Sequence, residues 1–239
     1  MKTIKYLLLT CCSLLMLASC QEAEQQDNTP QGNLDALWNI IDQHYCFLDY
    51  KAETIGLDWN RVHQQYRARL NNSMTSTQLF EVMAAMLSEL RDGHVNLYTS
   101  MDMARNWSWR EDYPTNYDYE LQESYLGSGT DYRISSGLKY RILDDNVGYV
   151  VISTFNTSIG EGNLDEAMHY LRACNGLIVD VRSNGGGDLT VAERVAQRFT
   201  NERRLVGYIC HKTGKGHNDF STPQAEYLET STGVRWQKR

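Results

Sequence analysis

Two short stretches hold residues whose types and spacing suit chemistry. The first is Gly176 to Asp188, GLIVDVRSNGGGD. Leu177, Ile178 and Val179 form an apolar run, followed by Asp180, Val181 and Arg182, the pattern of a short strand buried on both faces. Ser183 and Asn184 lead into Gly185, Gly186 and Gly187. Asp188 then suits the N-cap of a helix bearing Leu189, Ala192, Val195, Ala196 and Phe199 on one face. Strand, glycine loop and helix in that order present backbone N–H groups beside a helix N-terminus, which suits a phosphate or the oxyanion of an acyl transfer. The second stretch is Asp92-Gly93-His94. An imidazole held at a tight helix-to-strand corner is placed to act as a general base, and equally to cap the helix.

The nucleotide motifs fail in the glycine loop. Thr190 stands where a dinucleotide fingerprint needs glycine, and Asp188-Leu189 replaces the Lys-Ser/Thr end of a Walker loop. An acidic Asp188 at the mouth also disfavours phosphate. A glycine cluster that only turns the chain is the plain alternative.

Strand-Asp180-x-Arg182-x-Asn184-Gly-Gly-Gly-helix resembles the core motif of the C-terminal processing peptidases, also called tail-specific or tricorn-type serine peptidases. Asp92-Gly93-His94 resembles the upstream signature of that family, and the resemblance runs from about Asn33 to the end of the chain. It implies peptide-bond cleavage by acyl transfer on peptide or protein substrates, with no metal or organic cofactor. In tricorn-type members a histidine at the position of His94 is the base, where processing-type members use a lysine. Gly186 or Gly187 would lend an N–H to the oxyanion hole, Asn184 and Arg182 would brace the loop, and Asp180 would be structural. The family also needs a serine nucleophile on a further strand-to-helix turn. Ser221, followed by Thr222-Pro223, and Ser231, set among threonines, lack the preceding apolar strand and small-residue elbow. The expectation is a serine-type peptidase lipoprotein whose 239 residues lack their nucleophile, either as part of a longer peptidase or as a shortened homologue. The rival is a non-catalytic peptide- or lipid-binding surface lipoprotein on the same scaffold.

The N-terminus points to the cell envelope. Lys2 and Lys5 precede an apolar run, Tyr6 to Leu17, too short for a comfortable membrane span. Leu17-Ala18-Ser19-Cys20 follows, the pattern of a bacterial lipoprotein signal whose mature chain begins at a lipidated Cys20; an ordinary signal peptide with a stray cysteine is the alternative. The expected location is the bacterial envelope, tethered by lipid on the periplasmic or outer-membrane side. A net charge of −7 argues against nucleic acid as partner. Cys46, Cys174 and Cys210 would remain after processing. They form neither a disulfide framework nor a zinc pattern, and Cys174 and Cys210 read as buried thiols. His211, His217 and Asp219 make a poor metal set, because lysines interrupt them.

These stretches need elements to position them. Residues 1–20 are signal and 21–32 a flexible tether; 33–100 form a helical N-terminal domain, 101–145 connect, and 146–239 form the core. Asn33 reads as the cap of a helix with Leu34, Leu37, Trp38, Ile41, Tyr45 and Leu48 on one face. Asp58 caps a second helix, and Thr75 with Gln78 boxes a third that ends at Asp92-Gly93, with Gly93 left-handed. The connecting segment is rich in Trp and Tyr, suiting a ligand groove or the face of a small sheet, and is too short for the PDZ domain many family members carry. Gly148–Phe155, a helix boxed by Asn163 and Glu166, Leu177–Arg182, the Leu189 helix and Leu205–Cys210 read as β-α-β-α-β. The fold class expected is therefore α/β, a helical domain followed by an incomplete peptidase core with a mainly parallel sheet.

Overall fold

The computed structural model describes residues 27–237, so the expected signal segment and Cys20 lie outside the described residues. The chain divides into two compact units, residues 27–112 with 212–219 and residues 113–211 with 220–237.

The first unit is helical: α1 (Pro30–His44), α2 (Leu48–Ile55), α3 (Trp59–Arg67) and α4 (Ser76–Ser88). Thr29, not Asn33, caps α1. Its hydroxyl accepts the Gly32 N–H at 3.1 Å, and Pro30 fills the first turn, where no N–H is needed. The apolar run to Leu48 is two helices rather than one, because Tyr45 turns extended and spends its hydroxyl on Asp92. Asp58 caps α3, and Thr75 and Gln78 complete the reciprocal box of α4. Leu34, Trp59, Val62, Met86, Leu87 and Leu90 are buried together. A hairpin of β1 (Asn96–Tyr98) and β2 (Met103–Arg105) and a 3-10 turn, Ser108–Asp112, complete this chain segment.

The second unit holds α5 (Tyr119–Leu126), β3 (Arg133–Ser135), β4 (Leu138–Ile142), β5 (Val147–Ile152), α6 (Glu161–Leu171), β6 (Gly176–Asp180), α7 (Leu189–Ala196), β7 (Arg204–Ile209) and β8 (Gln224–Leu228). The α/β class and the helical N-terminal region are as expected. The sheet is not mainly parallel: its order is β3-β4-β5-β6, and only the β5–β6 pair is parallel. Tight turns decide this. Ser136 (φ 48°) and Gly137 (φ 90°) make a two-residue hairpin between β3 and β4, and Asn146 (φ 59°) closes the turn into β5. Strand β7 does not join this sheet; it pairs antiparallel with β8. Its side chains are exposed, Val206 at 60% and Tyr208 at 64%, so the apolar run that reads as a covered strand is an outlying ribbon. Strand β6 consequently has one partner among the described residues, and Ile178 is 49% exposed rather than buried. Cys210 is exposed for the same reason, whereas Cys174 is buried.

Helix α6 begins two residues before Asn163. The Asn163 side chain accepts the Gly160 N–H at 2.9 Å, while Glu166, expected to share the cap, accepts the Ser135 and Tyr140 hydroxyls instead. The core gathers Leu138, Tyr140, Val150, Ile152, Leu164 and Val191. Arg198, just past α7, is wholly buried. Its guanidinium donates to the Asp165 and Glu161 carboxylates and to the Val234 carbonyl at 2.9 Å, pinning the last described segment across the end of α7.

Candidate active site

The Asp92-Gly93-His94 corner belongs to the first unit. Helix α4 ends at Ser88, and Arg91, not Gly93, takes the left-handed conformation (φ 48°). Glycine is required at 93 for space: a Cβ there would lie 2.5 Å from the Trp107 ring. The Asp92 carboxylate accepts the His94 N–H at 2.9 Å, faces His94 Nδ1 at 3.2 Å, and accepts the Tyr45 hydroxyl at 2.7 Å. Burial would raise the Asp92 carboxyl, but the hydrogen bonds from the His94 N–H, from Tyr45 and from the His94 ring outweigh it and hold it below the usual range. Tyr45 is pushed far up, by burial first and then by its bond to Asp92. A carboxylate accepts only, so the Nδ1–H is the side of the ring turned to Asp92, which leaves Nε2 on the other side. The ring is 97% exposed. The imidazole is thus oriented by Asp92 and open to solvent.

The glycine loop belongs to the second unit and is part of its sheet. The Phe155 N–H donates to Gly186 O at 2.8 Å and the Asp188 N–H to Phe155 O at 2.9 Å, so Phe155 and Gly187 form a parallel bridge one rung beyond β6. The Gly185 N–H donates to Ser153 O at 3.0 Å. Asn184 holds the loop from both ends of its amide: Nδ2 donates to Ile152 O at 2.9 Å, and Oδ1 accepts the Gly186 N–H at 2.8 Å. Gly186 (φ 91°) has open space around it, but Gly187 (φ 142°) has none, since a Cβ would sit 2.4 Å from Phe155 O. From Gly185 to Asp188, the Gly187 N–H is the one that donates no hydrogen bond among the described residues. The Asp188 side chain caps α7 through the Thr190 N–H at 2.9 Å, so the acid at the loop mouth has a structural use.

The root of the loop is a buried carboxylate. Asp180 is 4% exposed and accepts five donors: Arg182 Nε (3.0 Å), Nη2 (2.8 Å) and backbone N–H (3.1 Å), the Tyr149 hydroxyl (2.6 Å) and Gln122 Nε2 (3.0 Å). The Arg182 guanidinium above all, against the cost of burial, holds the Asp180 carboxyl well below the usual range, with Tyr149 and Gln122 adding to it. The sequence pattern singles out Asp180 and Arg182 but gives no sign of Tyr149, and Gln122 was missed. The available signal for Gln122 is its spacing of four from Leu126: both are buried on one face of α5, and a polar side chain on a buried face needs a partner.

Ser221 Oγ accepts the His211 N–H at 2.9 Å at the base of the β7–β8 hairpin, and buried Ser231 accepts the Gly233 N–H. Ser153 and Ser183 do stand in strand-to-helix connections, after β5 and β6. Both connections are long loops, and neither serine has the positive φ of a strained nucleophile elbow. Among the described residues no cluster of three or more His, Cys, Asp or Glu is arranged to hold a metal.

The family model of peptidase family S41 matches residues 146–238, and that of the tricorn protease C1 domain matches residues 26–88. A crystal structure of a candidate peptidase from Parabacteroides merdae superposes with a TM-score of 0.79 and 44% identity, covering 89% of this chain and 66% of that one. Over these two segments and in its fold the chain is similar to S41 and tricorn-type peptidases. The carboxy-terminal processing protease CtpB of Bacillus subtilis is 31% identical over 84 residues, 34% of this chain and 17% of CtpB. Mature CPAF shares the fold at a TM-score of 0.61 and 10% identity, over 88% of this chain and 77% of that one. The chain thus spans just under two thirds of the Parabacteroides structure and matches about a sixth of CtpB.

Proposed function

We propose that this chain serves serine-type hydrolysis of peptide bonds, with two of the family's working parts and without the nucleophile. The observation that carries this reading is the Gly187 N–H, which has no acceptor among the described residues while the neighbouring amides of Gly185, Gly186 and Asp188 are all hydrogen-bonded. A donor held rigidly before reaction costs no reorganisation when charge develops on a carbonyl oxygen, which is what acyl transfer needs. His94, its ring oriented by Asp92, would take the proton of an attacking hydroxyl at Nε2. Asn184 and Arg182 keep the loop in place. The substrate class is peptide or protein, carried over from the family.

Among the described residues the nucleophile is the part without a candidate. Ser221 and Ser231 spend their oxygens on backbone amides, and Ser153 and Ser183 lie on loops without elbow geometry. A general base and an oxyanion donor orient and stabilise, but acyl transfer still needs a hydroxyl held in attack geometry. The same feature supports the second reading, a peptide-binding protein on a peptidase scaffold. Lipidation at Cys20 and residence in the bacterial cell envelope belong to both readings and rest on the Leu17–Cys20 pattern. The deciding experiment incubates the purified chain with a fluorophosphonate probe and unstructured casein. No labelling and no cleavage is the expected outcome. Labelling that disappears in Ser153→Ala, Ser183→Ala or Ser221→Ala overturns the missing-nucleophile reading and names the serine.

A further inference from the structure

The polar groups at the root of the glycine loop form a closed circuit through α5. Gln122 Nε2 donates to Asp180 Oδ2 at 3.0 Å, and Gln122 Oε1 accepts the Tyr117 hydroxyl at 2.9 Å. The Arg182 guanidinium carbon lies 5.8 Å from the centre of the Tyr117 ring, and Arg182 returns to both oxygens of Asp180. Gln122 is 3% exposed and Asp180 4%. A buried amide that donates to a buried carboxylate and accepts from a phenol is used on both of its ends. Deleting it strands two partners at once.

We infer that Gln122, with Tyr117, is a positioning residue for the glycine loop, acting through Asp180 and Arg182. The segment that stands in place of a larger inserted domain is in this view a working support of the site. Asp180 is the last residue of β6, and the loop that ends in Gly187 starts there. A carboxylate free to swing releases Arg182 and the first turn of the loop, because the Arg182 N–H and side chain both hang from it. The inference rests on the oxyanion reading of Gly187 only for its catalytic meaning. The position of the loop is measurable without substrate.

The experiment follows hydrogen exchange at the Gly185, Gly186 and Asp188 amides in the full chain, by NMR. All three donate within the protein and start protected. Gln122→Met keeps volume and removes donor and acceptor. Protection of these amides should fall about tenfold, the scale of one lost hydrogen bond to a charged group. Gln122→Glu supplies the second arm. At about pH 8 it sets a carboxylate against Asp180, and at about pH 5 the pair shares a proton and the donor is restored, since like charges at contact raise one carboxyl strongly. Arg182, Tyr149 and Tyr117 are the other titratable groups facing this pair. Protection should therefore return at the lower pH and fail at the higher. Unchanged protection in Gln122→Met, or equal loss across the β3–β4 pairs such as Ile134–Lys139, overturns the inference, the latter by making Gln122 a general packing residue. If Gln122→Met does not fold, a pH-independent Gln122→Glu overturns it alone. A catalytically silent Gly187 would sink the oxyanion reading and leave these exchange results untouched.

Discussion

The Asn184 side-chain oxygen accepts the Gly186 N–H at 2.8 Å, and this single bond makes the two loop glycines inequivalent. Gly186 is spent inside the loop, and Gly187 faces out. Their substitutions should differ accordingly. Gly186→Ala meets only a left-handed backbone, at a cost of roughly 1–2 kcal/mol. Gly187→Ala adds a collision with Phe155 O and should lower the melting temperature clearly further. In a chain competent for turnover, loss of the Gly187 donor should cost about a hundredfold or more in rate. Thermal unfolding of the two variants side by side checks the order, and equal melting points contradict it.

Removing Asn184 tests the brace itself. Asn184→Ala loses the bonds to Ile152 O and from the Gly186 N–H, about 2 kcal/mol together by the usual scale of such bonds. Urea unfolding gives the number directly. A change below a few tenths would mean the loop holds its shape without the side chain.

Asp180 makes stability depend on acid. Its carboxyl is lower in the folded chain than in the unfolded one, where it titrates near about 4. Its contribution is therefore complete above that value and drains away as pH falls below it towards the folded value. The acid slope of unfolding free energy should be steeper in the wild type than in Asp180→Asn. Parallel slopes would show that folding leaves the Asp180 carboxyl unshifted.

Tyr66 makes the opposite case at high pH. Burial and the hydrogen bond to Glu89 at 2.6 Å push its hydroxyl up to about 12. The neutral phenol is the favoured form in the fold, so its contribution is whole below the unfolded value of about 10 and is lost as pH climbs towards 12. Tyr66→Phe should flatten this alkaline loss in the first unit, followed by near-ultraviolet circular dichroism.

Arg198 carries the end of the second unit. Arg198→Met takes the guanidinium from the Asp165 and Glu161 carboxylates, leaves Glu161 only Arg194 at 3.3 Å, and frees Val234 O. The expected loss is roughly 3 kcal/mol, the low end for a broken buried ion pair, because both acids keep some water. Arg198→Lys should not recover it, since one ammonium cannot reach the separate acceptors a guanidinium fork serves. Calorimetry of the two variants decides.

How much of this was legible follows from the range of the forces. The caps at Asp58, Thr75 and Asp188 were readable because capping is local, a side chain meeting an amide two or three residues on. The loop and its neighbours Asp180, Arg182 and Asn184 were readable for the same reason. The place of β7 was not. A run such as Arg204–Ile209 reads the same in a covered strand or an outlying ribbon, and only the distant Gln224–Leu228 settles which. Gln122 lies 58 residues from Asp180, and Tyr149 lies 31 residues away, so neither announces its partner in the sequence. At the DGH corner the need for glycine was visible and its cause was not, because Trp107 comes to Gly93 from across the hairpin.

Strand β6 pairs with β5 on one side, and among the described residues its other row of N–H and C=O groups has no strand beside it. Ile178 stands bare on that same strand. This matters for handling. An unpaired strand edge with an exposed apolar residue is a template on which another chain can add a strand, so self-association of the purified chain should rise with its concentration. A charged residue at 178, pointing outward, would be the smallest change that quiets it.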